Sequence, residues 1–480
     1  MRQAGRRHLW RRVLAVVSVL VLGGLGGTAW WLLRPPPPSF MLLDRVALPA
    51  GVARGVVFLF SGADGWQPAD AAVQTRLRAQ GLVVVGVDTP RYLRRIADRA
   101  GGCAYMVSDI EALAQRFQRD TGSQSYVAPV VAGRGLGGGL ALDMVDQTPA
   151  VTIGGTVAVD PQAAVPFPVE LCTPAGYLTL PAGQVYALGK GAQPDPVSIL
   201  LTPGATADVR ARAAAFAAGS ADVTLIAAAA DPAPEVAAIA QRVASATQAR
   251  NALPVKVLSA QPRHDVMAVI LSGDGGWRDI DSSIGTALQA DGVPVVGVDS
   301  LRYFWRTRTP EGTAQDLAAL IDRYRTAWRV KNVMLVGYSF GADVLPATYL
   351  ALPRPVRRSI LAVGLLGFSP QADWQITVAG WLGSHRGDAT PTLPAAGALP
   401  MWKVFCVHGK NEGDSACPQL VADGAEALET RGGHHFGGDY RGVERALLAA
   451  YDTRRRAAET RPAKPGPVAM AGPALESMTQ

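Results

Sequence analysis

The apolar residues of this chain fall into short continuous runs separated by glycine-rich loops and by stretches with helical periodicity. Runs at 57–60, 84–87, 268–271, 295–298 and 333–336 have the length of buried strands. Continuous apolar strands that alternate with helices are typical of a parallel sheet covered on both faces. The pattern therefore predicts an α/β fold with mostly parallel sheets.

The same pattern occurs twice. The segment 57–62 is echoed at 268–273, Gly65-Trp66 returns as Gly276-Trp277, and the segment 84–88 returns at 295–299. These matches share one offset of 211 residues, which indicates a duplicated domain. The chain of 480 residues is long enough for two such domains, each with its own core. An alanine-rich stretch, 205–246, is expected to be helical with a strand at 222–227, and to end the first copy.

The N-terminus differs from the rest of the chain. An arginine cluster within residues 2–12 precedes an apolar run of 21 residues, 13–33, which is long enough to cross a bilayer. The arginines would hold the N-terminus in the cytoplasm and place everything after residue 33 outside. We expect an uncleaved anchor, with a cleaved signal peptide as the alternative. The prolines at 35–38 make a stiff spacer.

Charge adds little beyond the two ends. The net charge of +7 comes from residues 1–34 and from the tail after residue 452, which leaves the sequence between them slightly acidic. That distribution lacks the basic face of a nucleic-acid-binding protein, so we expect no nucleic-acid partner. The tail has no periodicity and is expected to be disordered.

The second copy contains the strongest chemical signal. The apolar run 333–336 leads into Gly337-Tyr338-Ser339-Phe340-Gly341, and a helix is expected to follow. A G-x-S-x-G sequence between a strand and a helix is typical of a nucleophile elbow, because the tight turn needs glycines on both sides of the serine. Ser339 is therefore the candidate nucleophile.

The first copy lacks this chemistry. Gly135, within Gly133-Arg134-Gly135-Leu136-Gly137, stands where the second copy has Ser339, and no histidine lies between residues 9 and 263. We interpret the first copy as a degenerate scaffold, with an anion site at Arg134 as the alternative. The expected organisation is thus a signal anchor or signal peptide at 1–34, a linker at 35–41, a degenerate α/β-hydrolase-like domain at 42–255, a catalytic α/β-hydrolase domain at 256–452, and a disordered tail at 453–480.

A serine nucleophile needs a base and an orienting acid, which follow it along the chain in this fold class. The glycine-flanked pair His434-His435 supplies the base; His434 is preferred and His435 is the alternative. Asp414 is our choice for the acid, Glu412 is next, and Asp373 is the other contender. We expect no metal or other cofactor, because no metal-ligand spacing surrounds the histidines.

Two further roles are expected near the elbow. Backbone N–H groups of Phe340 and Asp274 are the candidate oxyanion hole. The carboxylates of Asp274 and Asp343 are replaced by Ala63 and Gly139 in the first copy. Acids confined to the copy with the nucleophile favour a positively charged substrate, although helix capping and solvation would also account for them.

The four cysteines lie two in each copy, Cys103 with Cys172 and Cys406 with Cys417. One disulfide per copy is expected, as in proteins outside the cytoplasm. Buried free thiols are the alternative.

The combined motifs resemble the VirJ/AcvB family of bacterial virulence proteins. They are the 337–343 elbow, the S-G-D-G-G-W loop at 272–277, and Gly433-His434-His435-Phe436 with Asp439-Tyr440. The resemblance covers residues 42–451 and implies a periplasmic α/β-hydrolase that cleaves the aminoacyl ester of lysyl-phosphatidylglycerol. It implies Ser339 as nucleophile and a base from the histidine pair.

The expected partners are therefore an aminoacylated phospholipid, the outer face of the inner membrane to which residues 13–33 would tether the protein, and secretion-system proteins. Two other functions stay open on the sequence alone. One is a periplasmic accessory protein that binds a secretion apparatus or its cargo, which the degenerate first copy would suit. The other is a generic esterase or thioesterase.

Overall fold

Each copy forms its own seven-stranded sheet in the computed structural model of the chain, which describes residues 41–97, 102–145, 148, 152–173, 175–248, 254–377 and 389–460. The strands of the first copy are β1 Val46–Ala47, β2 Val56–Phe60, β3 Val83–Val87, β4 Val130–Arg134, β5 Gly155–Val159, β6 Tyr177–Leu180, β7 Gly183–Tyr186, β8 Val197–Leu201 and β9 Val223–Ala227. Its helices are α1 Pro68–Ala79, α2 Thr89–Ala97, α3 Val107–Asp120, α4 Leu136–Val145, α5 Ala207–Gly219 and α6 Ala233–Gln248.

The first strand of the second copy begins at Val255. Its strands are β10 Val255–Leu258, β11 Val266–Leu271, β12 Val295–Val298, β13 Asn332–Tyr338, β14 Ile360–Leu366, β15 Gln371–Ala372, β16 Thr390–Pro391, β17 Val404–Gly409 and β18 Glu426–Thr430. Its α-helices are α7 Asp279–Ala290, α8 Ser300–Tyr303, α9 Pro310–Trp328, α10 Phe340–Ala351, α11 Arg354–Ser359, α12 Leu393–Gly397, α13 Cys417–Ala422 and α14 Tyr440–Thr460.

The two sheets have the same topology. The strand orders are β1-β3-β2-β4-β5-β8-β9 and β10-β12-β11-β13-β14-β17-β18. Only the first strand of each is antiparallel to its neighbour, and the remaining pairs are parallel. The predicted α/β fold with mostly parallel sheets is confirmed. Both sheets belong to one compact unit, which begins at Leu43.

The repeated sequence motifs have a packing explanation. A Cβ atom added to Gly297 would lie 2.2 Å from the ring of Trp277, and one added to Gly86 would lie 2.5 Å from the ring of Trp66. Since real Cβ contacts are never this short, only glycine lets the tryptophan lie across the strand. The Gly-Trp pair and the glycine of the next strand therefore recur together in both copies.

The last helix corrects one boundary. Residues 453–460 were expected to be part of a disordered tail, but α14 continues to Thr460. Arg454 is buried, donates to the Val404 carbonyl at 2.8 Å and pairs with Glu426 at 2.9 Å. The long arginine side chain is thus used for packing despite its charge. Residues 461–480, where the rest of that prediction falls, lie outside the described ranges.

Both predicted disulfides are present, Cys103–Cys172 and Cys406–Cys417. The second joins β17 to α13 on either side of the loop 410–416. The predicted anchor at 13–33 and the linker at 35–41 lie outside the described residues, apart from Met41. Across the ranges that are described, no helix has the length and apolarity of a membrane span.

Candidate active site

Ser339 lies between β13 and α10 with a backbone conformation that non-glycine residues rarely adopt, at φ 51° and ψ −122°. A Cβ atom on Gly337 would lie 2.3 Å from the carbonyl oxygen of Gly341, and one on Gly341 would lie 2.3 Å from that of Leu271. Side chains at either position would therefore collide with backbone. The two glycines permit the sharp turn, and the turn exposes the serine at the carboxyl end of the sheet, where active sites of such folds form.

His434 occupies the position of a general base. Its Nε2 lies 2.9 Å from the Oγ of Ser339, while its Nδ1 is hydrogen-bonded to the carboxylate of Glu412. With Nδ1–H donating to the carboxylate, Nε2 has a lone pair that can accept the serine proton. His435 is exposed, and its ring centre is 6.3 Å from that of His434. The structure thus brings His434 to the serine and leaves His435 outside.

Glu412, and not Asp414, is the orienting acid, so the choice of Asp414 is corrected. Glu412 follows the end of β17 in a tight turn, in which its N–H donates to the Gly409 carbonyl at 3.0 Å. The N–H of Gly409 in turn donates to Oε2 at 2.9 Å, which leaves Oε1 for the histidine. Asp414 lies two residues further along the same loop and lines the pocket. Asp373, the other contender, also lines the pocket.

The pKa values of this pair follow from their contact. Burial raises the pKa of Glu412, but the hydrogen bonds from His434 and Gly409 favour the carboxylate and the net shift is downward. Burial lowers the pKa of His434, but the hydrogen bond and the negative charge of Glu412, with smaller contributions from Asp414 and Asp274, raise it overall. Glu412 is therefore ionised, and the imidazolium that forms when His434 takes a proton is stabilised.

The candidate oxyanion hole is assembled from two elements. A Cβ atom on Gly273 would lie 3.6 Å from the Cβ of Ser339, so the loop after β11 runs directly beside the serine. Asp274 follows in that loop, and Phe340 is the first residue of α10; both line the same pocket as Ser339. Their N–H groups stay the predicted donors.

The pocket beside the serine is small and acidic. Its cavity of about 280 Å³ is lined by four aspartates, Asp274, Asp343, Asp373 and Asp414, as well as by Ser339 and His434. The pKa of Asp274 is raised, and that of Asp343 is raised well above its ordinary range. Burial is the main cause in both. Asp274 and Asp343, predicted to bind substrate, are thus brought together at the nucleophile. Their partial burial disfavours solvation as the explanation for them.

Ser369 is a pocket residue that the sequence did not reveal. Its N–H donates to Oδ1 of Asp343 at 2.8 Å, and its hydroxyl lies 2.9 Å from Oδ2 and 2.9 Å from the Gln371 carbonyl. A hydroxyl has one proton, so when it donates to the carbonyl, a protonated Asp343 can donate to it. Burial is the cause of the raised pKa of Asp343, and the hydrogen bonds from Ser369 lower that pKa in part. Ser369 lies in an irregular loop after β14, where no motif marks it.

The elbow of the first copy has an arginine beside the glycine that replaces the nucleophile, and both residues line a cavity. Gly135 keeps the elbow conformation, with φ 51°. Arg134 Nε donates to Asp70 at 2.7 Å, its Nη2 donates to the same carboxylate at 2.9 Å, and its Nη1 pairs with Asp64 at 2.9 Å. These two carboxylates neutralise the guanidinium. That pairing favours a degenerate scaffold over an anion site at Arg134.

No group of three or more metal-ligating side chains occurs in the part of the chain that the structure describes. An elbow serine followed along the chain by a glutamate and then by a histidine, on a mostly parallel sheet, defines an α/β-hydrolase fold with a Ser-His-Glu triad.

The sequence model of the bacterial virulence protein family VirJ matches residues 55–133 and 265–455, more than half of the chain. The chain belongs to this family. The match covers β13 and all three triad residues, and in the first copy it ends at Gly133, within β4. The resemblance noted in the sequence is confirmed.

Among curated proteins, none matches the chain significantly. Similar solved structures each cover less than half of it. Est1E from Butyrivibrio proteoclasticus has 14% identity and a TM-score of 0.30, over 42% of this chain and 94% of its own. The proline iminopeptidase of Mycobacterium smegmatis has 11% identity and a TM-score of 0.29, over 42% of this chain and 95% of its own. The esterase EaEST from Exiguobacterium antarcticum has 15% identity and a TM-score of 0.28, over 41% of this chain and 94% of its own. Similarity at this level carries no information on the substrate.

Proposed function

We propose that this protein is a serine hydrolase of carboxylic esters. The observation that carries the proposal is the chain of contacts from Ser339 through His434 to Glu412. In the first half-reaction Ser339 Oγ attacks the ester carbonyl while His434 Nε2 takes the hydroxyl proton. The N–H groups of Phe340 and Asp274 stabilise the oxyanion. His434 then protonates the leaving alcohol as the C–O bond breaks, which leaves an acyl-enzyme and a neutral imidazole.

In the second half-reaction, water replaces the alcohol. His434 takes a proton from the water as its oxygen attacks the acyl carbon, and later returns the proton to Ser339 Oγ. The carboxylic acid is released and the free serine is restored. Glu412 stays ionised throughout and stabilises each imidazolium that forms, in line with the lowered pKa of its carboxyl.

The acidic pocket favours an acyl group that carries positive charge. Four aspartates around one small cavity attract a cation, and a cationic substrate would favour ionisation of Asp274 and Asp343. An aminoacyl ester fits this description, because its acyl part bears an α-ammonium group. We propose the aminoacyl ester of lysyl-phosphatidylglycerol, the substrate that the family resemblance implies; its lysyl group has two ammonium groups. The products would be lysine and phosphatidylglycerol.

We also propose that the enzyme works in the periplasm, tethered to the outer face of the inner membrane by residues 13–33. The two disulfides support an oxidising compartment. The arginine cluster followed by 21 apolar residues supports the tether and its orientation. A lipid substrate would then lie in the same membrane as the anchor.

The test is a comparison of lipids with and without the nucleophile. A strain that lacks the protein should accumulate lysyl-phosphatidylglycerol, wild-type protein should restore its level, and Ser339→Ala should not, because the attacking oxygen is missing. Purified wild-type protein should release lysine from the lipid in detergent micelles. Gly135→Ala, in the elbow of the first copy, is the matched control and should retain release.

Lysine release by Ser339→Ala at the wild-type rate would overturn the mechanism. Release of other acids from esters, with no action on lysyl-phosphatidylglycerol, would keep the hydrolase and reject the substrate.

A further inference from the structure

A helix of the first copy lies against the active site of the second. Helix α3 and the loop 121–126 that follows it reach two segments of the second copy that border the pocket. One is the loop after β11, residues 273–279, and the other is residues 304–306 together with the pocket wall 371–377. Both contacts are made through buried or half-buried polar groups, so they fix positions more strictly than apolar packing would.

The first contact is between Glu111 and Arg278. Both carboxylate oxygens of Glu111 lie 2.6 Å from Nη1 of Arg278, and the glutamate side chain is 4% exposed. The guanidinium also lies directly against the backbone of Gly275, three residues earlier in the loop. A Cβ atom on Gly275 would be 2.5 Å from Arg278 Nη2. Gly275 follows Asp274, the predicted oxyanion donor, so Glu111 holds the arginine that supports this loop.

Charge and burial make this contact obligatory. Burial raises the pKa of Glu111, while the positive charge and hydrogen bond of Arg278 lower it in part. A buried pair of opposite charges is strongly disturbed when one partner is removed, because the other is left uncompensated. Loss of the Glu111 charge would therefore release Arg278 from its place beside Gly275.

The second contact is made by Arg119, two turns further along α3. Its Nη2 donates to the carbonyl of Ile376, and its guanidinium carbon lies 3.7 Å from the ring centre of Trp305. The wall and the tryptophan segment are themselves joined, since Gln375 Nε2 donates to the Trp305 carbonyl at 3.1 Å and the Ile376 N–H donates to Phe304 at 2.9 Å. Gln375 and Ile376 line the cavity beside Ser339.

The loop after α3 completes the interface. Trp305 Nε1 donates to the Ser123 carbonyl at 3.0 Å, and Arg306 Nε donates to that of Gln124 at 2.8 Å. Tyr126 packs on the Trp305 ring with a centroid distance of 5.3 Å. The Ser123 carbonyl of the first copy therefore orients Trp305, on which Arg119 stacks, and the Gln124 carbonyl holds the next residue, Arg306.

We propose that the degenerate copy is a built-in positioning element of the active site. Glu111 fixes the oxyanion loop through Arg278, and Arg119 fixes the pocket wall through Ile376 and Trp305. Glu111 and Arg119 are positioning residues that lie in the first copy and act on the second. They precede Ser339 by 228 and 220 residues in the sequence. The inference rests on the proposed ester hydrolysis, but its structural part can be measured without a substrate.

The kinetic test uses the full-length protein and a soluble activated ester. Glu111→Gln keeps the shape of the side chain and removes its charge, so kcat should fall about tenfold or more with KM little changed, because oxyanion donors act in the transition state. Arg119→Met keeps an apolar stem over Trp305 and should mainly raise KM. Adding Arg278→Gln to Glu111→Gln should cost little more than the worse single variant, since the two act together.

The substrate-independent test is hydrogen–deuterium exchange. Glu111→Gln should speed exchange of backbone amides in 273–279, and Arg119→Met in 371–377, by more than any loss of overall stability speeds exchange elsewhere in the chain. Arg116→Gln, which breaks an exposed pair with Asp120 on the same helix, is the control and should change neither exchange nor kinetics. Wild-type exchange in both segments for both variants would overturn the inference. Faster exchange without any ester hydrolysis by the wild type would reject the proposed function and retain the positioning role.

Discussion

At the scale of single residues, the site depends on the contact between the carboxylate of Glu412 and the ring of His434. Glu412 and Asp414 lie two positions apart in the same loop, and the sequence offers no reason to prefer either. The structure selects Glu412, because the turn closed by the Gly409 carbonyl directs its longer side chain to His434. The nucleophile and the base, in contrast, could be predicted, since the glycines on both sides of each permit the tight turns that such positions need.

The pH dependence should report the Glu412–His434 contact. His434 must be neutral to accept the serine proton, and its pKa is raised above the ordinary 6.5, so kcat/KM should rise with pH through a midpoint above that value. Glu412→Gln removes the negative charge and leaves the effect of burial, so the midpoint should move to lower pH. The maximal kcat should fall on the order of 10²–10⁴-fold.

Asp414→Asn is the matched control, because that carboxylate influences His434 only as a neighbouring charge. It should shift the midpoint slightly and keep most of kcat. An unchanged pH profile in Glu412→Gln would show that another group orients the base.

At the scale of elements, the repeated motifs allowed the two sheets to be predicted, while the ends of elements could not be. The strand pairs follow from apolar runs that recur at a constant offset. The prediction of a disordered tail is wrong for residues 453–460, because a segment without apolar periodicity continues α14 there, with Arg454 buried against β17. The residue type alone does not show whether a long charged side chain is solvated or is packed against the rest of the protein.

The disulfide that joins β17 to α13 should support both stability and catalysis. Replacing Cys406 and Cys417 by alanine reopens a loop of about ten residues in the unfolded chain, which should lower the unfolding free energy by about 3 kcal/mol. Because the loop between them carries Glu412, kcat should fall as well. Denaturant unfolding and ester kinetics measure the two effects.

The pair Cys103 and Cys172 provides the comparison. It closes a longer loop, with a separation of 69 residues, so its removal should cost about 4 kcal/mol of stability. The effect on kcat should be smaller, since neither cysteine borders the triad. A catalytic loss equal to that of the first pair would contradict the local explanation.

At the scale of the whole molecule, contacts between copies were beyond prediction. Glu111 and Arg278 are 167 positions apart, and nothing in either segment marks them as partners. Duplication indicates that two similar domains exist, but their interface is formed by residues that the copies do not share. The contribution of the first copy to the site therefore emerged only from the structure.

Separation of the copies should weaken the enzyme. A fragment of residues 254–460 would expose Trp305 and leave Arg278 without Glu111, so we expect a lower melting temperature than that of the second copy in the whole protein. Ester hydrolysis should drop about tenfold or more. Residues 41–248 added in trans should restore part of the activity, and a fully active isolated fragment would show that the first copy has a different role.

The elbow of the first copy has a consequence for the history of the chain. Gly135 adopts the same positive φ as Ser339, but for glycine this conformation has no steric cost, whereas for serine it costs on the order of 1–3 kcal/mol. Once one copy sufficed for turnover, replacement of the other serine by glycine would have relieved that strain. Natural selection for a stable chain is thus enough to account for the inactive copy, without any selection against a second active site.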